Sequence, residues 1–269
     1  MTVRLKGAVV LITGASSGIG AATAVAFAKH GAKLELGARR VDRLEGVAER
    51  CRKAGSPTVS FRRLDVGERG DARAFVAGAL RTHERLDVLV NNAGTGWMGR
   101  LHQMPEEKIE ELIATNLKGV IATTQAVLPW MLERRRGVII NVASVVAFRS
   151  SPYSAVYSAT KHAVAGLSHA LRGELSGSGV KVCVVYPGVT GGTEFFAATE
   201  RPVGPHYPAT WVANLIVRTA RFPRRDAMVA PIRAVQLAEP VFGGLMDHAL
   251  GEARRLASPE LSGTGLPDQ

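Results

Sequence analysis

Short runs rich in Val, Ile and Leu alternate with longer stretches in which apolar positions recur at helical spacing, and the alternation continues from residue 8 to residue 186. That rhythm predicts repeated βαβ units. The strands fall at 8–13, 33–38, 58–63, 87–91, 137–143, 180–186 and 227–230, and most are near-continuously apolar, as strands covered on both faces should be. A parallel sheet follows. Helices at 19–30, 43–54, 69–82, 106–134, 154–176 and 209–222 are long enough for right-handed crossovers, and the 106–134 stretch leaves room for a break. The architecture expected is a doubly wound α/β sheet in a single domain.

Three segments depart from the rhythm. Glu35 interrupts the second strand and is expected near a strand end or the sheet margin. From Pro187 to Pro208 the sequence becomes Gly/Pro-rich around Phe195 and Phe196, which reads as a mobile cap. Beyond the core, the chain divides into a catalytic domain at 1–232 and a C-terminal helical extension with a flexible tail at 233–269. The extension carries Leu237, Val241, Phe242, Leu245, Met246 and Leu250 but is interrupted by Pro240, Gly243 and Gly244, too broken to span a bilayer. Its apolar side chains are expected to close over a pocket or meet a neighbouring subunit, with membrane association disfavoured.

Composition narrows the class. At 46% hydrophobic and 21% charged residues, the 269-residue chain matches an ordinary globular protein with a large core. No apolar run approaches the roughly 18 residues of a membrane span, and the first, at 8–12, is too short for a signal peptide, so a cytoplasmic protein is expected. Cys51 and Cys183 form neither a disulfide framework nor a zinc spacing, and the seven histidines lack any HExxH-like arrangement. No metal is expected, and both thiols should be buried. The net charge of +11 is scattered in pairs and triples, the longest being Arg134, Arg135 and Arg136 at the end of the 106–134 helix, where positive charge suits the macrodipole. Nucleic acid is not an expected partner.

The first strand ends in Thr13-Gly14-Ala15-Ser16-Ser17-Gly18-Ile19-Gly20, directly before a helix. Glycines at such a turn let the backbone approach a pyrophosphate, and the helix N-terminus offers unpaired N–H groups and a positive dipole end. The spacing is TGxxxGxG rather than GxGxxG. After the second strand, where an NAD site places an acid on the adenosine ribose, the chain reads Gly37-Ala38-Arg39-Arg40. With no acid to repel a 2′-phosphate and guanidinium groups to bind it, the expected cofactor is NADP(H), with Arg39 favoured over Arg40 as the phosphate ligand. Asp65 and Val66 follow the third strand, where a carboxylate can accept from the adenine amino group, and Asn92, Ala93 and Gly94 follow the fourth. Carboxyl ends of strands converge on one crevice in such sheets.

Tyr157 and Lys161 stand at i and i+4 on one helix face, so both side chains can meet a single ligand. Ser144 ends the fifth strand thirteen positions before Tyr157, and Asn116 lies within the preceding long helix. TGASSGIG, NNAG, Asn116, Ser144, YSATK and Pro187-Gly188 occur in the order and at close to the spacing of the short-chain dehydrogenase/reductase family, which the chain resembles over about residues 4–230. The resemblance implies a seven-stranded parallel Rossmann sheet. It further implies Tyr157 as catalytic acid/base, Lys161 as its activator and ribose ligand, Ser144 as a substrate ligand, and Asn116 as anchor of a relay water. Dimers or tetramers assembled through helices such as 106–134 and 154–176 are implied as well. The family's nicotinamide-binding Thr has two candidates here, Thr190 and Thr193, while Val189 offers its backbone.

Physical chemistry supports these roles. A phenol near pKa 10 must fall by about three units to act near neutrality, about 4 kcal/mol, and one ammonium about 4 Å away at an effective dielectric near 20 supplies energy of that order. The function expected is hydride exchange between NADP(H) and a ketone, aldehyde or secondary alcohol, with Tyr157 moving the proton and Ser144 holding the oxygen. Trp97, Tyr153, Phe195 and Phe196 are placed either to overhang the nicotinamide, which favours a hydrophobic substrate, or to pack the loops that carry them. Dehydration or isomerisation on the same fold, and a non-catalytic NADP(H) sensor, are the alternatives. The full Asn-Ser-Tyr-Lys set argues against a sensor, which has no need of an activated phenol. His162 is expected to point off the catalytic face.

Overall fold

The computed structural model describes residues 2–191, 206–228 and 248–253. Seven strands, β1 (Val9–Thr13), β2 (Lys33–Ala38), β3 (Val59–Arg63), β4 (Val88–Asn91), β5 (Gly137–Val142), β6 (Val180–Tyr186) and, after two short strands, β9 (Asp226–Met228), form one parallel sheet in the order β3-β2-β1-β4-β5-β6-β9. The intervening β7 (Thr190–Gly191) and β8 (Tyr207–Pro208) pair only with each other. Order reverses beside β1, so the crevice above β1 and β4 is the topological switch point.

Strand alternation sorts the core into two layers. Val10, Ile12, Leu34 and Leu36 pack with Phe27 of α1 (Gly18–Ala28), Leu44 of α2 (Val41–Lys53) and Ile216 of α7 (Ala209–Arg221). Val9, Leu11, Leu89 and Ile139 turn the other way, towards Phe75 of α3 (Arg69–His83) and Val127 and Met131 of α5 (Gly119–Glu133). Leu171 of α6 (Ala155–Glu174) closes that layer. Both faces are covered, which is why the strands read as unbroken apolar runs.

The expected break in the 106–134 stretch is a π turn. α4 (Glu106–Ile113) runs into a π-helical turn at Ala114–Lys118, and α5 continues from it. Beneath the carboxyl ends of β4 and β5, a buried polar network ties this helix and α6 to the sheet. Asn91 Nδ2 donates to Asn141 Oδ1 (2.9 Å) and to Thr124 Oγ1 (3.2 Å), Thr123 Oγ1 donates to Asn91 Oδ1 (2.7 Å), and Asn141 Nδ2 donates to Ser168 Oγ (2.9 Å).

Glu35 does not sit at a strand end. It lies mid-strand in β2, wholly buried between Leu11 of β1 and Ser60 of β3, on the α3 side of the sheet. What keeps it there is Arg62, whose Nε donates to Glu35 Oε1 at 2.8 Å from the neighbouring edge strand. Gly78 of α3 makes room for that guanidinium, since a Cβ there would fall 2.1 Å from Arg62 Nη1. Burial pushes the Glu35 carboxyl up and Arg62 opposes the push. The basic triple after α5 also has structural partners: Arg134 stacks 3.1 Å from the Trp130 ring centroid, Arg135 donates to Gly177 O, and Arg136 lies 3.7 Å from Asp87. Cys51 and Cys183 are buried, with both thiols pushed up to about 11 by loss of solvent.

Of the expected C-terminal extension, residues 248–253 are helical; the rest, with Phe195, Phe196, Thr193 and residues 229–230 of the last expected strand, lies outside the described residues. No described helix is long and apolar enough to cross a membrane.

Arg62→Ala should destabilise the fold by about 2 kcal/mol, less than the roughly 3–5 of a fully buried pair because its side chain keeps 36% of its exposure. Adding Glu35→Leu should recover most of the loss. Urea titration of the two variants measures both effects, and a neutral Arg62→Ala would mean that the pair is not what holds Glu35.

Candidate active site

The glycine turn is built by close approach. Gly14 has φ +66°, and a Cβ on it would meet the Ala93 Cα at 2.7 Å, so β1 and the turn after β4 pack backbone to backbone. Thr13 Oγ1 accepts from the N–H groups of Asn92 (3.1 Å) and Ala93 (3.0 Å), while Asn92 Nδ2 donates to the carbonyls of Thr13 (3.0 Å) and Gly14 (3.2 Å). Asn92 is therefore a clamp on the turn. α1 begins immediately after, and its N-terminus has no side-chain cap.

Arg39 and Arg40 leave β2 beside that turn in different directions. Arg40 reaches back to Ser17 Oγ (2.8 Å) and Ser16 Oγ (3.4 Å), whereas Arg39 Nη1 lies 3.4 Å from Glu111 Oε1 on α4. Arg40 is thus drawn onto the glycine turn. Asp65 Oδ1 accepts from Gly67 N at 3.0 Å, closing a turn at the end of β3.

Ser144 follows β5 in extended conformation and caps the short 3-10 turn Val145–Ala147, its Oγ accepting from Val146 N at 3.3 Å. Tyr157 and Lys161 project from one face of α6, both buried, and Tyr157 shares a hydrogen bond with Ser144. Lys161 Nζ donates to Val142 O at 3.0 Å and stands 5.7 Å from the Tyr157 ring centroid. Asn116 is wholly buried in the π turn. Its Oδ1 accepts from Thr95 N (2.8 Å), and its Nδ2 donates to Thr95 O (2.9 Å) and Thr160 Oγ1 (3.2 Å), so the side chain ties the loop after β4 to α6 from behind.

These parts enclose one cavity of about 590 Å³. Gly14, Ser16, Ser17, Gly18, Ile19, Arg39, Arg40, Asp65, Val66, Asn92, Ala93 and Gly94 line it, together with Ser144, Tyr157, Lys161, Pro187, Gly188, Val189 and Thr190. Gly20 and Asn116 do not. Gly20 instead packs under the turn, where a Cβ would come within 2.2 Å of Gly14 O. Thr190 Oγ1 donates to Gly188 O (3.1 Å), and Gly188 leaves space for the Tyr207 ring, 2.9 Å from where its Cβ would stand. The sequence reading missed Thr95, Met98, Val145, Val146, Ser151 and Ser154 on the same wall, although each follows a strand end or precedes α6. Trp97 and Tyr153 are not on it: Trp97 packs against Met104, Leu112 and Tyr157, and Tyr153, at φ +63°, accepts from Gly99 N (2.8 Å). His162 is exposed and its Nδ1 meets Ser158 O at 2.9 Å, away from the buried face that carries Tyr157 and Lys161.

The charge state differs from the simple ammonium–phenol expectation. Burial pushes the Tyr157 phenol up to about 12, with the Ser144 hydrogen bond pulling the other way, and burial brings the Lys161 ammonium down to about 8. For the phenol, loss of solvent outweighs the Ser144 hydrogen bond, so it carries its proton at neutral pH. Among the described residues no group of three or more His, Cys, Asp or Glu side chains could hold a metal.

Residues 8–203 match the short chain dehydrogenase family. The chain is 41% identical over 186 residues to an uncharacterised oxidoreductase of Staphylococcus saprophyticus, covering 68% of this chain and 74% of that protein. Its fold is similar to an alcohol dehydrogenase of the archaeon Thermococcus sibiricus complexed with 5-hydroxy-NADP (TM-score 0.76, 32% identity, 83% of this chain and 96% of that one). It is also similar to a short chain dehydrogenase/reductase of Burkholderia phymatum in complex with NAD (TM-score 0.83, 27% identity, 91% and 96%). With the sheet order, the glycine turn and the Ser-Tyr-Lys wall in place, the chain belongs to the short-chain dehydrogenase/reductase family and is an oxidoreductase of that family.

The buried cation carries a measurable signature. Because the folded protein lowers the Lys161 pKa from 10.5 to about 8, folding is opposed by its charge below pH 8, and the opposition fades between pH 8 and 10.5, where only the unfolded chain still binds the proton. Lys161→Met should therefore be more stable than the natural protein at pH 7, by on the order of 2 kcal/mol, and the gap should close towards pH 10. Urea unfolding at the two pH values reads the difference; a variant less stable at pH 7 would contradict the assignment.

Proposed function

We propose that the protein is an NADP(H)-dependent reductase of ketones or aldehydes, running in reverse as a secondary-alcohol dehydrogenase, with an apolar substrate. The observation that carries this reading is the presence of Ser144, Tyr157 and Lys161 on the same cavity as the glycine turn and the Arg39–Arg40 pair. The residues fit such a cofactor: the uncapped N-terminus of α1 offers N–H groups to a pyrophosphate, and two guanidinium groups at the end of β2 suit a 2′-phosphate. A bound nicotinamide supplies hydride exchange with a carbonyl carbon.

The rest is work for the chain's own groups. Tyr157, held protonated by burial, gives its proton to the carbonyl oxygen, and Ser144 donates a second hydrogen bond to that oxygen as negative charge develops. Lys161 stands one helical turn away, its ammonium anchored on Val142 O, where it can bind ribose hydroxyls and stabilise the phenolate left behind. Asn116 acts as a positioning residue, holding Thr95 against α6. Asp65 is the candidate acceptor for the adenine amino group, and Val189 with Thr190 for the nicotinamide amide. Met98, Val145 and Val146 give the substrate side its apolar surface.

NADPH oxidation, followed by absorbance over a panel of apolar ketones and aldehydes, tests the reading directly. Tyr157→Phe should reduce turnover about 10²- to 10⁴-fold with NADPH affinity nearly unchanged, because it removes one proton and little else. In the natural protein kcat/KM for NADPH should fall above about pH 8, as Lys161 loses its charge in the free enzyme. Full activity in Tyr157→Phe, or NADH used as well as NADPH, would overturn the assignment.

A further inference from the structure

Arg39 is held by a carboxylate from outside the nucleotide-binding half of the sheet. Glu111 lies on α4, seventy-two positions along the chain, with Oε1 3.4 Å from Arg39 Nη1 and Oε2 2.8 Å from Lys108 Nζ. Four residues further on the same helix, Thr115 lines the cavity, so Glu111 sits one turn back at the cavity's rim. Lys108, and after it Arg39, hold its carboxyl below the usual carboxylate range, so it is ionised throughout the neutral region. The Arg39 side chain keeps 56% of its exposure and Glu111 27%, which leaves the pair open to exchange with another anion.

We propose that Glu111 is a specificity-determining residue that restrains the preference for a 2′-phosphorylated cofactor. This rests on the NADP(H) reading of Arg39. A 2′-phosphate recruiting that guanidinium must displace the Glu111 carboxylate, and the displaced charge then stands near the phosphate and repels it. Lys108 limits the penalty by retaining the carboxylate on its other oxygen. A cofactor without the phosphate makes no such demand, so the effect falls on one cofactor only. The sequence shows no acid at the end of β2, yet the fold delivers one to the same place from α4.

The test uses the adenosine halves of the two cofactors, 2′,5′-ADP and 5′-AMP, titrated calorimetrically into the full-length natural protein, Glu111→Gln, Arg39→Ala and the double variant at low salt. Glu111→Gln is expected to tighten 2′,5′-ADP about three- to tenfold, the scale of an exposed ion pair plus a released repulsion, and to shift 5′-AMP by less than about twofold. The gain should vanish in the Arg39→Ala background and shrink as salt rises. Unchanged or weaker 2′,5′-ADP binding in Glu111→Gln, or the same gain without Arg39, overturns the proposal while leaving the NADP(H) reading intact. A natural protein that binds 5′-AMP as tightly as 2′,5′-ADP, with no loss in Arg39→Ala, overturns both.

Discussion

Everything at the carboxyl edge of the sheet depends on the amide network of Asn91 and Asn141. Two neighbouring strands place these side chains face to face in the core, and Thr123, Thr124 and Ser168 complete their hydrogen bonds from α5 and α6. In a low-dielectric interior a satisfied network of this kind tolerates only one register, because any slip leaves an amide unpaired at about 1–3 kcal/mol per group. The functional groups inherit that register. Lys161 and Tyr157 lie about two and three turns before Ser168 along α6, so the face that Ser168 anchors to the sheet also carries them.

The division between what was legible in sequence and what was not follows the range of the interactions. Strands and helices could be read because strands buried on both faces must be apolar, and the glycine turn because only glycine permits the approach of Gly14 to Ala93. Ser144, Tyr157 and Lys161 were recognisable from spacing together with family resemblance. Glu35 was misplaced because its partner, Arg62, lies on another strand and its space is made by Gly78 on a helix. Asn92 and Asn116 stand out in the motifs, but the direction of their amides, towards Thr13, Gly14 and Thr95, depends on contacts that no local pattern displays. Trp97 could overhang the cavity or pack its loop as far as sequence position tells, and it is the cluster around Tyr157, built from residues far along the chain, that decides for packing.

The site also sets stability against reactivity. A phenol raised to about 12 and an ammonium lowered to about 8 are both groups that the interior holds in their neutral forms more readily than water does. An interior selected for folding alone would contain neither, and the apolar layers on both sides of the sheet are what sustain them.

The π turn at Ala114–Lys118 adds one residue to a helical circuit, and so rotates everything before it by about 100° relative to everything after it. That offset uncouples two faces which a regular helix would have forced into a common orientation. The segment before the turn can present Glu111 to Arg39 at the cavity rim while the segment after it keeps Thr123 and Thr124 on the sheet. Substitutions on α4 can accordingly retune the rim without altering how α5 docks, so a single continuous helix serves two design problems that vary independently.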